Sequence, residues 1–346
     1  MTINRRVFTR RVAETAAAAA ALGALSAAGG AEPPQRPEKP SRPAPKPDPT
    51  PEASPAGAIV DTHQHLWDLS KLRLPWLQKE TELRKSHLIG DYLVAARGLG
   101  IVKAVYMEVA VAPEQHLAEA EYIIGLCRRG DTPTVAAVIG GRPGSEGFRE
   151  YITRFRDSRY VKGVRQIVSK PEEILDDGFA RGIRLLGELG MRFDLCVPPD
   201  RLDAGAKLVD RCPGTRFILD HCGNADPEAF RPADRQTRKP QHEADLWRRG
   251  LAKLAKRENV VCKISGIVAR APKGAWSADD LAPIVNHCLD EFGPERVMFG
   301  SDWPVCTRAA TMRQWVTALR EIIANRPEED RRRLMHDNAV RFYGLT

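Results

Sequence analysis

The sequence predicts a single (β/α)₈ barrel, the TIM-barrel fold. Short β-branched runs alternate with longer amphipathic runs eight times across the roughly 290 residues that follow position 56. Apolar strands separated by helices are typical of a parallel sheet that is covered on both faces. An open doubly wound sheet is the alternative fold, but no glycine-rich phosphate loop follows the first strand. The predicted strands are Ile59–His63, Val102–Ala110, Val135–Gly140, Val161–Ile167, Arg192–Val197, Arg216–Asp220, Val260–Ser265 and Arg296–Ser301.

The stretches between the strands carry the residues that usually begin and end helices. The first long stretch, Pro113–Arg129, begins at a proline and is followed by Gly130. Further predicted helices are Pro171–Leu189, Leu246–Arg257 and Asp279–Phe292. Functional residues of such barrels gather at the C-terminal ends of the strands, so the site is expected there.

The first 56 residues are predicted to lie outside the barrel. Arg5 and Arg6 precede an Ala-rich apolar stretch, which is typical of a twin-arginine export signal over residues 1–31. An Ala-rich tail without a targeting role is the alternative. Residues 32–56 are rich in proline and charge and predict an extended linker, which leaves residues 57–346 as the barrel. We therefore expect the twin-arginine machinery as a partner and a periplasmic location, with membrane contact only if the signal stays uncleaved.

Charge and cysteine usage narrow the classes of partner. The chain has 346 residues and a net charge of +8. Residues 1–56 hold eight of the 53 basic and five of the 45 acidic side chains, which leaves 45 against 40 in the barrel. That balance is too even for a surface that binds a phosphate backbone, so no nucleic-acid partner is expected. The seven cysteines form no CxxC pair, which predicts mostly free thiols in the core.

Two histidines stand at the end of the first predicted strand. Residues two positions apart on a strand share a face, so His63 and His65 both point into the mouth of the barrel. Two imidazoles placed in this way can hold one divalent cation. The pair is a weak signal alone, and its position at the end of a first barrel strand strengthens it.

Strands 6 and 8 end at polar residues of the same kind. The apolar run Phe217–Leu219 leads through Asp220 to His221, and the run before Gly300 leads to Asp302. Each residue alone is equally compatible with a helix cap or a satisfied polar group in the core. Together with the HxH pair they place three histidines and one aspartate on three strand ends, which predicts one shared site.

Six segments resemble the amidohydrolase-related family of TIM-barrel metal-dependent hydrolases (amidohydrolase 2 type), and within it the lactonase-like subgroup. They are VDTHQHLWD, KGVRQI, FILDHCGN, KISG, MFGSDWP and NAVRFYGL, and the similarity spans residues 58–345. The resemblance implies a distorted barrel with its site at the C-terminal mouth. It also implies that His63, His65, His221 and Asp302 form the metal and catalytic centre.

Strand 5 departs from the pattern of the wider superfamily. It reads MRFDLCV over residues 191–197 and lacks the metal-binding histidine that many members place there. The lactonase-like subgroup commonly lacks this histidine too, and the resemblance implies that some of its members hydrolyse lactones without a metal. The departure supports the subgroup and leaves the cofactor open between a bound Zn²⁺ or Mn²⁺ and no metal.

Four further residues are predicted to contact the substrate. Arg165, near the end of strand 4, has the planar fork that suits a carboxylate or a developing oxyanion, and Gln166 follows it. The resemblance also places a ligand-binding arginine here, and a structural salt bridge is the alternative. Glu108 faces either the mouth or an arginine, and Trp67 is either a pocket wall or a core aromatic. The basic loop Phe230–Pro240 is either a lid or a solvated surface loop.

These features together predict a hydrolase acting on carboxylic ester bonds, which opens the lactone ring of a small sugar-acid or dicarboxylate lactone. Water attacks the ring carbonyl while Asp302 accepts its proton, and His221 and Arg165 are the other catalytic residues. A metal-dependent amidase or other C–N hydrolase differs mainly in the leaving group. A non-oxidative decarboxylase predicts the strand-5 histidine that is missing. An exported binding protein on a retired barrel predicts the loss of Asp302 or of the HxH pair, yet both are present.

Overall fold

Eight parallel strands form one sheet in the computed structural model, which describes residues 57–168 and 170–345. Neighbours along the chain are neighbours in the sheet, and the bridge between Gln64 and Trp303 joins the last strand to the first. This arrangement confirms the predicted (β/α)₈ barrel. The strands are β1 (Ile59–Gln64), β2 (Ile101–Met107), β3 (Thr134–Gly140), β4 (Val161–Ile167), β5 (Arg192–Cys196), β6 (Arg216–Leu219), β7 (Val260–Ile264) and β8 (Val297–Phe299).

Helices follow the strands and cover the outside of the sheet. They are α1 (Ile89–Ala96), α2 (His116–Arg129), α3 (Phe148–Thr153), α4 (Pro171–Ile174), α5 (Asp177–Glu188), α6 (Leu202–Arg211), α7 (Ala244–Ala255), α8 (Ala278–Phe292), α9 (Met312–Ile322), α10 (Glu328–Arg332) and α11 (Asn338–Tyr343). Most boundaries lie within a few residues of the predicted ones.

Three predicted boundaries were wrong, each for a local reason. The helix predicted from Pro113 opens with a 3₁₀ turn, and α2 begins only at His116. The helix predicted over residues 171–189 is two helices, because the carboxylate of Asp176 accepts a hydrogen bond from the backbone N–H of Phe179 (2.8 Å) and starts α5. Strand β2 ends before Ala110, whose φ of 49° is incompatible with an extended strand.

Side chains that point into the barrel change from apolar to charged along the strands. Near the base, Ile218 of β6 and Val261 of β7 belong to an apolar inner cluster. Because alternate residues of a strand share a face, the next inward positions on these two strands are Asp220 and Lys263. On β5 the inward residue is Asp194, and all three charged residues are fully buried. The barrel thus carries a layer of charge directly beneath its mouth.

The segment Asn338–Leu345 closes the opposite, N-terminal end of the barrel. The ring of Tyr343 packs into the apolar inner cluster. Lys103 of β2 donates to the carbonyl oxygen of Leu345 (3.0 Å), and Lys162 of β4 donates to that of Gly344 (3.3 Å). Hydrogen bonds from lysines of two strands therefore hold Asn338–Leu345 in place across the base of the barrel.

The predicted export signal, residues 1–31, and the predicted linker, residues 32–56, lie outside the described residues. In the part of the chain that the structure describes, no helix is long and apolar enough to cross a membrane. All seven cysteines are buried and free, which confirms the prediction of core thiols.

Candidate active site

The C-terminal ends of the strands surround a cavity of about 730 Å³, a size usual for small-molecule sites. His65, Arg165, His221 and Asp302 all line it. Trp67 forms part of the wall, and its indole N–H donates to the carbonyl oxygen of Lys85 (2.6 Å). The structure thus brings the main predicted site residues together at the mouth.

His63, His65 and Asp302 form one compact group. The two imidazole rings meet edge to face with centroids 4.9 Å apart. Oδ1 of Asp302 lies 3.3 Å from Nε2 of His65 and 3.8 Å from Nε2 of His63. The backbone N–H of Asp302 donates to the carbonyl oxygen of His63 (2.9 Å), so the contact between β8 and β1 sets this geometry.

His221 reaches the same group from an unusual turn after β6. Four consecutive residues, His221, Cys222, Gly223 and Asn224, have φ between 52° and 65°. A left-handed backbone costs roughly 1–2 kcal/mol per non-glycine residue, and such strain is concentrated at functional sites. The turn brings the ring of His221 within 4.4 Å of that of His63.

Each imidazole has its Nδ1 atom beside a group that fixes its orientation. Nδ1 of His65 lies 2.9 Å from the carbonyl oxygen of Met107, which only accepts, so this nitrogen carries the proton. Nδ1 of His221 lies 3.0 Å from Oγ of Ser265. Nδ1 of His63 lies 3.5 Å from Oδ1 of Asp220. Outer partners of this kind are typical of histidines that present Nε2 to a ligand or metal.

Arg165 is held in place by acidic groups that directly follow two strands, β2 and β6. Its Nε donates to Oε1 of Glu108 (2.6 Å) and its Nη2 to the carbonyl oxygen of the same residue (2.8 Å). Its Nη1 lies 3.3 Å from Nε2 of His63 and 3.5 Å from Oδ2 of Asp220. Of the two alternatives for Glu108, the structure shows the one in which it packs against an arginine.

Gln166 does not reach the cavity, contrary to the prediction that it contacts the substrate. Arg165 points into the barrel, and its neighbour on β4 therefore points out of it. The side-chain amide of Gln166 donates instead to Oε1 of Glu173 (2.5 Å). In the loop Phe230–Pro240, Arg238 lines the cavity, so part of this loop does face the mouth.

The profile of the amidohydrolase family matches residues 60–345, which include all of the barrel strands except Ile59, the first residue of β1, and the whole mouth. The chain belongs to the amidohydrolase family. The resemblance found in the six sequence segments is thereby confirmed.

Relatives of this amidohydrolase include named lactone hydrolases. An L-fucono-1,5-lactonase of Burkholderia multivorans is 29% identical over 301 residues, which cover 84% of this chain and 97% of the relative. A 4-sulfomuconolactone hydrolase of Rhizobium radiobacter is 27% identical over 258 residues, 73% of this chain and 77% of the relative. A crystal structure of an amidohydrolase from Burkholderia multivorans with bound zinc superposes with a TM-score of 0.71 at 24% identity, and covers 84% of this chain and 100% of that one.

The electrostatics of the amidohydrolase site favour an ionised carboxylate among neutral imidazoles. Burial alone would raise the pKa of Asp302, but the surrounding imidazoles of His221, His65 and His63 outweigh burial and hold this pKa well below its usual range. Burial holds the pKa of His63 well below its usual range and lowers that of His221. At neutral pH the mouth therefore holds one carboxylate and at least two uncharged imidazoles.

Three charged residues beneath the mouth were missed by the sequence analysis. Nζ of Lys263 lies 2.5 Å from Oδ1 of Asp194, 3.3 Å from Oδ1 of Asp220 and 3.5 Å from Nδ1 of His63. The available signal was a charged residue in the interior of a short strand, Asp194 in RFDLC and Lys263 in VVCKI. Asp220 directly precedes His221, and the sequence predicts it only as the last residue of a strand.

The mouth of this amidohydrolase fits a divalent cation in the type and spacing of its donors. His63, His65 and Asp302 offer ligand atoms that all lie within 4.8 Å of one another. Since Nδ1 of His65 carries a proton, its Nε2 and Oδ1 of Asp302 face each other as two acceptors, and a shared proton or cation satisfies both. The guanidinium of Arg165 lies against Nε2 of His63, so a cation there competes with Arg165 for the same lone pair.

Proposed function

We propose that this amidohydrolase opens the lactone ring of a small sugar-acid or dicarboxylate lactone by water attack at the barrel mouth. The observation that carries the proposal is the ionised, almost fully buried carboxylate of Asp302 among the imidazoles at the cavity floor. The two relatives named as lactone hydrolases support the same reaction class.

Asp302 acts on the proton of the attacking water. Its Oδ1 faces Nε2 of His65 and stays ionised at working pH, so it is ready to accept this proton. Because the pKa of Asp302 lies so far below neutrality, the proton leaves it readily for the alkoxide of the opened ring. One carboxylate thus serves both halves of the hydrolysis, first as base and then as acid.

Arg165 and His221 act on the carbonyl oxygen. Glu108 engages Nε and Nη2 of Arg165, so Nη1 is the part of the guanidinium that reaches toward the centre of the site. A fixed cation in a site with little water stabilises a developing oxyanion strongly. His221 lines the cavity from the facing strand end and completes the polar floor.

A divalent cation such as Zn²⁺ or Mn²⁺ has a place in this proposal. His63, His65 and Asp302 would hold it, and it would polarise the carbonyl and acidify the attacking water. The zinc in the related solved amidohydrolase supports this assignment.

The test follows proton release by the purified protein against a panel of sugar and dicarboxylate lactones, with and without a chelator. Asp302→Asn preserves shape and removes the base, so kcat/KM should fall by about 10²–10⁴-fold. Gln166→Ala, next to Arg165 but turned away from the cavity, is the matched control and should keep its activity. Full activity in Asp302→Asn would refute the proposed base. A folded protein that turns over no lactone would redirect the search to amide hydrolysis or decarboxylation.

We further propose that residues 1–31 export the protein through the twin-arginine machinery to the periplasm. The paired Arg5 and Arg6 before the Ala-rich stretch support the proposal. Cell fractionation of a chain with both arginines changed to lysine should show loss of the periplasmic pool, and an unchanged distribution would refute it.

A further inference from the structure

Four arginines but only one acidic side chain line the cavity. The arginines are Arg165, Arg238, Arg270 and Arg308, and Asp302 is the acidic residue among the described lining residues. A guanidinium that is wholly or partly buried is stabilised by a carboxylate partner. An arginine of this cavity that lacks such a partner is therefore a candidate to bind the negative charge of a ligand.

Three of these arginines are paired with carboxylates outside the cavity lining. Arg165 pairs with Glu108, as described above. Arg238 forms a bidentate ion pair with Asp226, in which both N–O distances are 2.7 Å. Arg308 donates to Oε1 of Glu80 (2.6 Å).

Arg270 differs from the other three because its side-chain partners are neutral. Its Nη1 donates to the amide oxygen of Gln241 (3.0 Å) and its Nη2 to that of Asn224 (2.8 Å). No carboxylate among the described residues comes within 4.0 Å of its guanidinium nitrogens. Burial lowers the pKa of Arg270, and the more distant Asp226 and Asp302 do not offset this effect.

The guanidinium is nevertheless held in a fixed position. Asn224 belongs to the left-handed turn, and its amide nitrogen donates to the carbonyl oxygen of Val197 (2.9 Å), which turns its oxygen toward Arg270. The carbonyl oxygen of Arg270 accepts from Nη2 of Arg238 (2.9 Å). A guanidinium carries five N–H bonds, and two are used by the amides, so three remain for a ligand.

We propose that Arg270 binds an anionic group of the substrate, and hence that the substrate is a lactone with a carboxylate, or an equivalent anion, away from the ring. The inference rests on the proposed lactonase activity and narrows its substrate class. Arg165 holds the reacting carbonyl, and Arg270 holds the charged end. The cavity walls near them, which include Trp76, Val197 and Ile167, are apolar and suit the body of the molecule.

The experiment compares two lactones that differ only at one end. D-glucaro-1,4-lactone ends in a carboxylate, and D-glucono-1,4-lactone has a hydroxymethyl group in its place. The wild-type protein should prefer the anionic lactone in kcat/KM. Arg270→Met should lower kcat/KM for this lactone by about 10- to 100-fold and leave the neutral one within about twofold, because a charged hydrogen-bond partner is lost only for the anion. Arg270→Lys keeps the positive charge but loses the planar guanidinium. Its kcat/KM for the anionic lactone should therefore lie between those of wild type and Arg270→Met.

Arg154→Met removes a similar charge from an exposed ion pair with Glu150 and should change neither value. An equal fall for both lactones in Arg270→Met, or a wild-type preference for the neutral lactone, would overturn the inference while leaving the lactonase proposal intact. If neither lactone reacts, calorimetric titration with D-glucarate tests anion binding by Arg270 independently of lactone hydrolysis. Binding to wild type that disappears in Arg270→Met supports the anion site even though the lactonase proposal has failed, whereas equal or absent binding refutes it.

Discussion

Lys263 offers a direct test of the charge layer beneath the mouth. Its side chain is fully buried, and its Nζ neutralises Asp194 and Asp220 at 2.5 Å and 3.3 Å. Lys263→Met keeps most of the side-chain volume and removes the charge. Two carboxylates would then lie in the barrel interior without the cation that holds them together.

The expected cost follows from the burial of these groups. Removing one partner of a buried ion pair costs about 3–5 kcal/mol, since an uncompensated charge is left behind. For a domain of this size each kcal/mol lowers the melting temperature by roughly 2–4 °C, so a fall of roughly 6–20 °C is expected. Lys253→Met removes an amine from an exposed pair with Asp203, and should cost no more than about 1 kcal/mol.

The loss of unfolding free energy in Lys263→Met, relative to wild type, should depend on pH with a definite sign. Burial raises the pKa of Asp194 from 3.8 to about 7 in the folded protein. A raised carboxyl pKa favours the folded state below the unfolded value and loses that contribution as pH rises through the folded value. Without Lys263 the folded pKa of Asp194 rises further. The deficit relative to wild type should therefore be largest above pH 7 and shrink toward pH 5.

Equilibrium urea unfolding at pH 7.5 and pH 5.5 measures both effects. The double variant Asp194→Asn/Lys263→Met should be more stable than Lys263→Met alone at pH 7.5, because it removes one of the two buried carboxylates that have lost their cation. A loss below about 1 kcal/mol at pH 7.5, or the same loss at both pH values, would refute the argument.

Two further predictions concern the mouth itself. Arg165→Met frees Nε2 of His63 and should tighten zinc binding by about tenfold or more, measured by competition with a chromophoric chelator; unchanged affinity would show that the guanidinium does not compete. Gly266→Ala would place a methyl group 2.3 Å from Nδ1 of His221 at a φ of +70° and should lower kcat by about 10- to 100-fold. Gly274→Ala, at a φ of +71° with open space around it, is the matched control, and equal activity of the two variants would contradict the positioning of His221.

The parts of the site that the sequence predicted are those that depend on strand ends. His63 lies near the end of β1, and His65, His221 and Asp302 lie just beyond the ends of β1, β6 and β8. Parallel strands bring their C-terminal ends to one rim. Gln166 was misplaced because adjacency to Arg165 was given more weight than the alternation of the strand, which separates the two side chains.

The pairing of Asp194 with Lys263 could not be predicted from the sequence for a different reason. The two residues are 69 positions apart, and the sequence of neither strand indicates which residue its charged side chain pairs with. The pairing of Arg270 with two neutral amides was hidden in the same way, since it depends on the left-handed turn that orients Asn224. Long-range neutralisation of charge is a property of the closed barrel rather than of any one of its segments.

The closure of the barrel base by Asn338–Leu345 has a consequence for the order of events during synthesis. Lys103 of β2 receives its partner, the carbonyl oxygen of Leu345, only 242 residues later. Tyr343 of the same segment belongs to one apolar cluster with Val60 and Val105, which lie on the first two strands made. While the ribosome is still translating this region, the early strands lack both their apolar cover and the acceptor for this amine. The barrel base can therefore be closed only after Asn338–Leu345 has emerged from the exit tunnel.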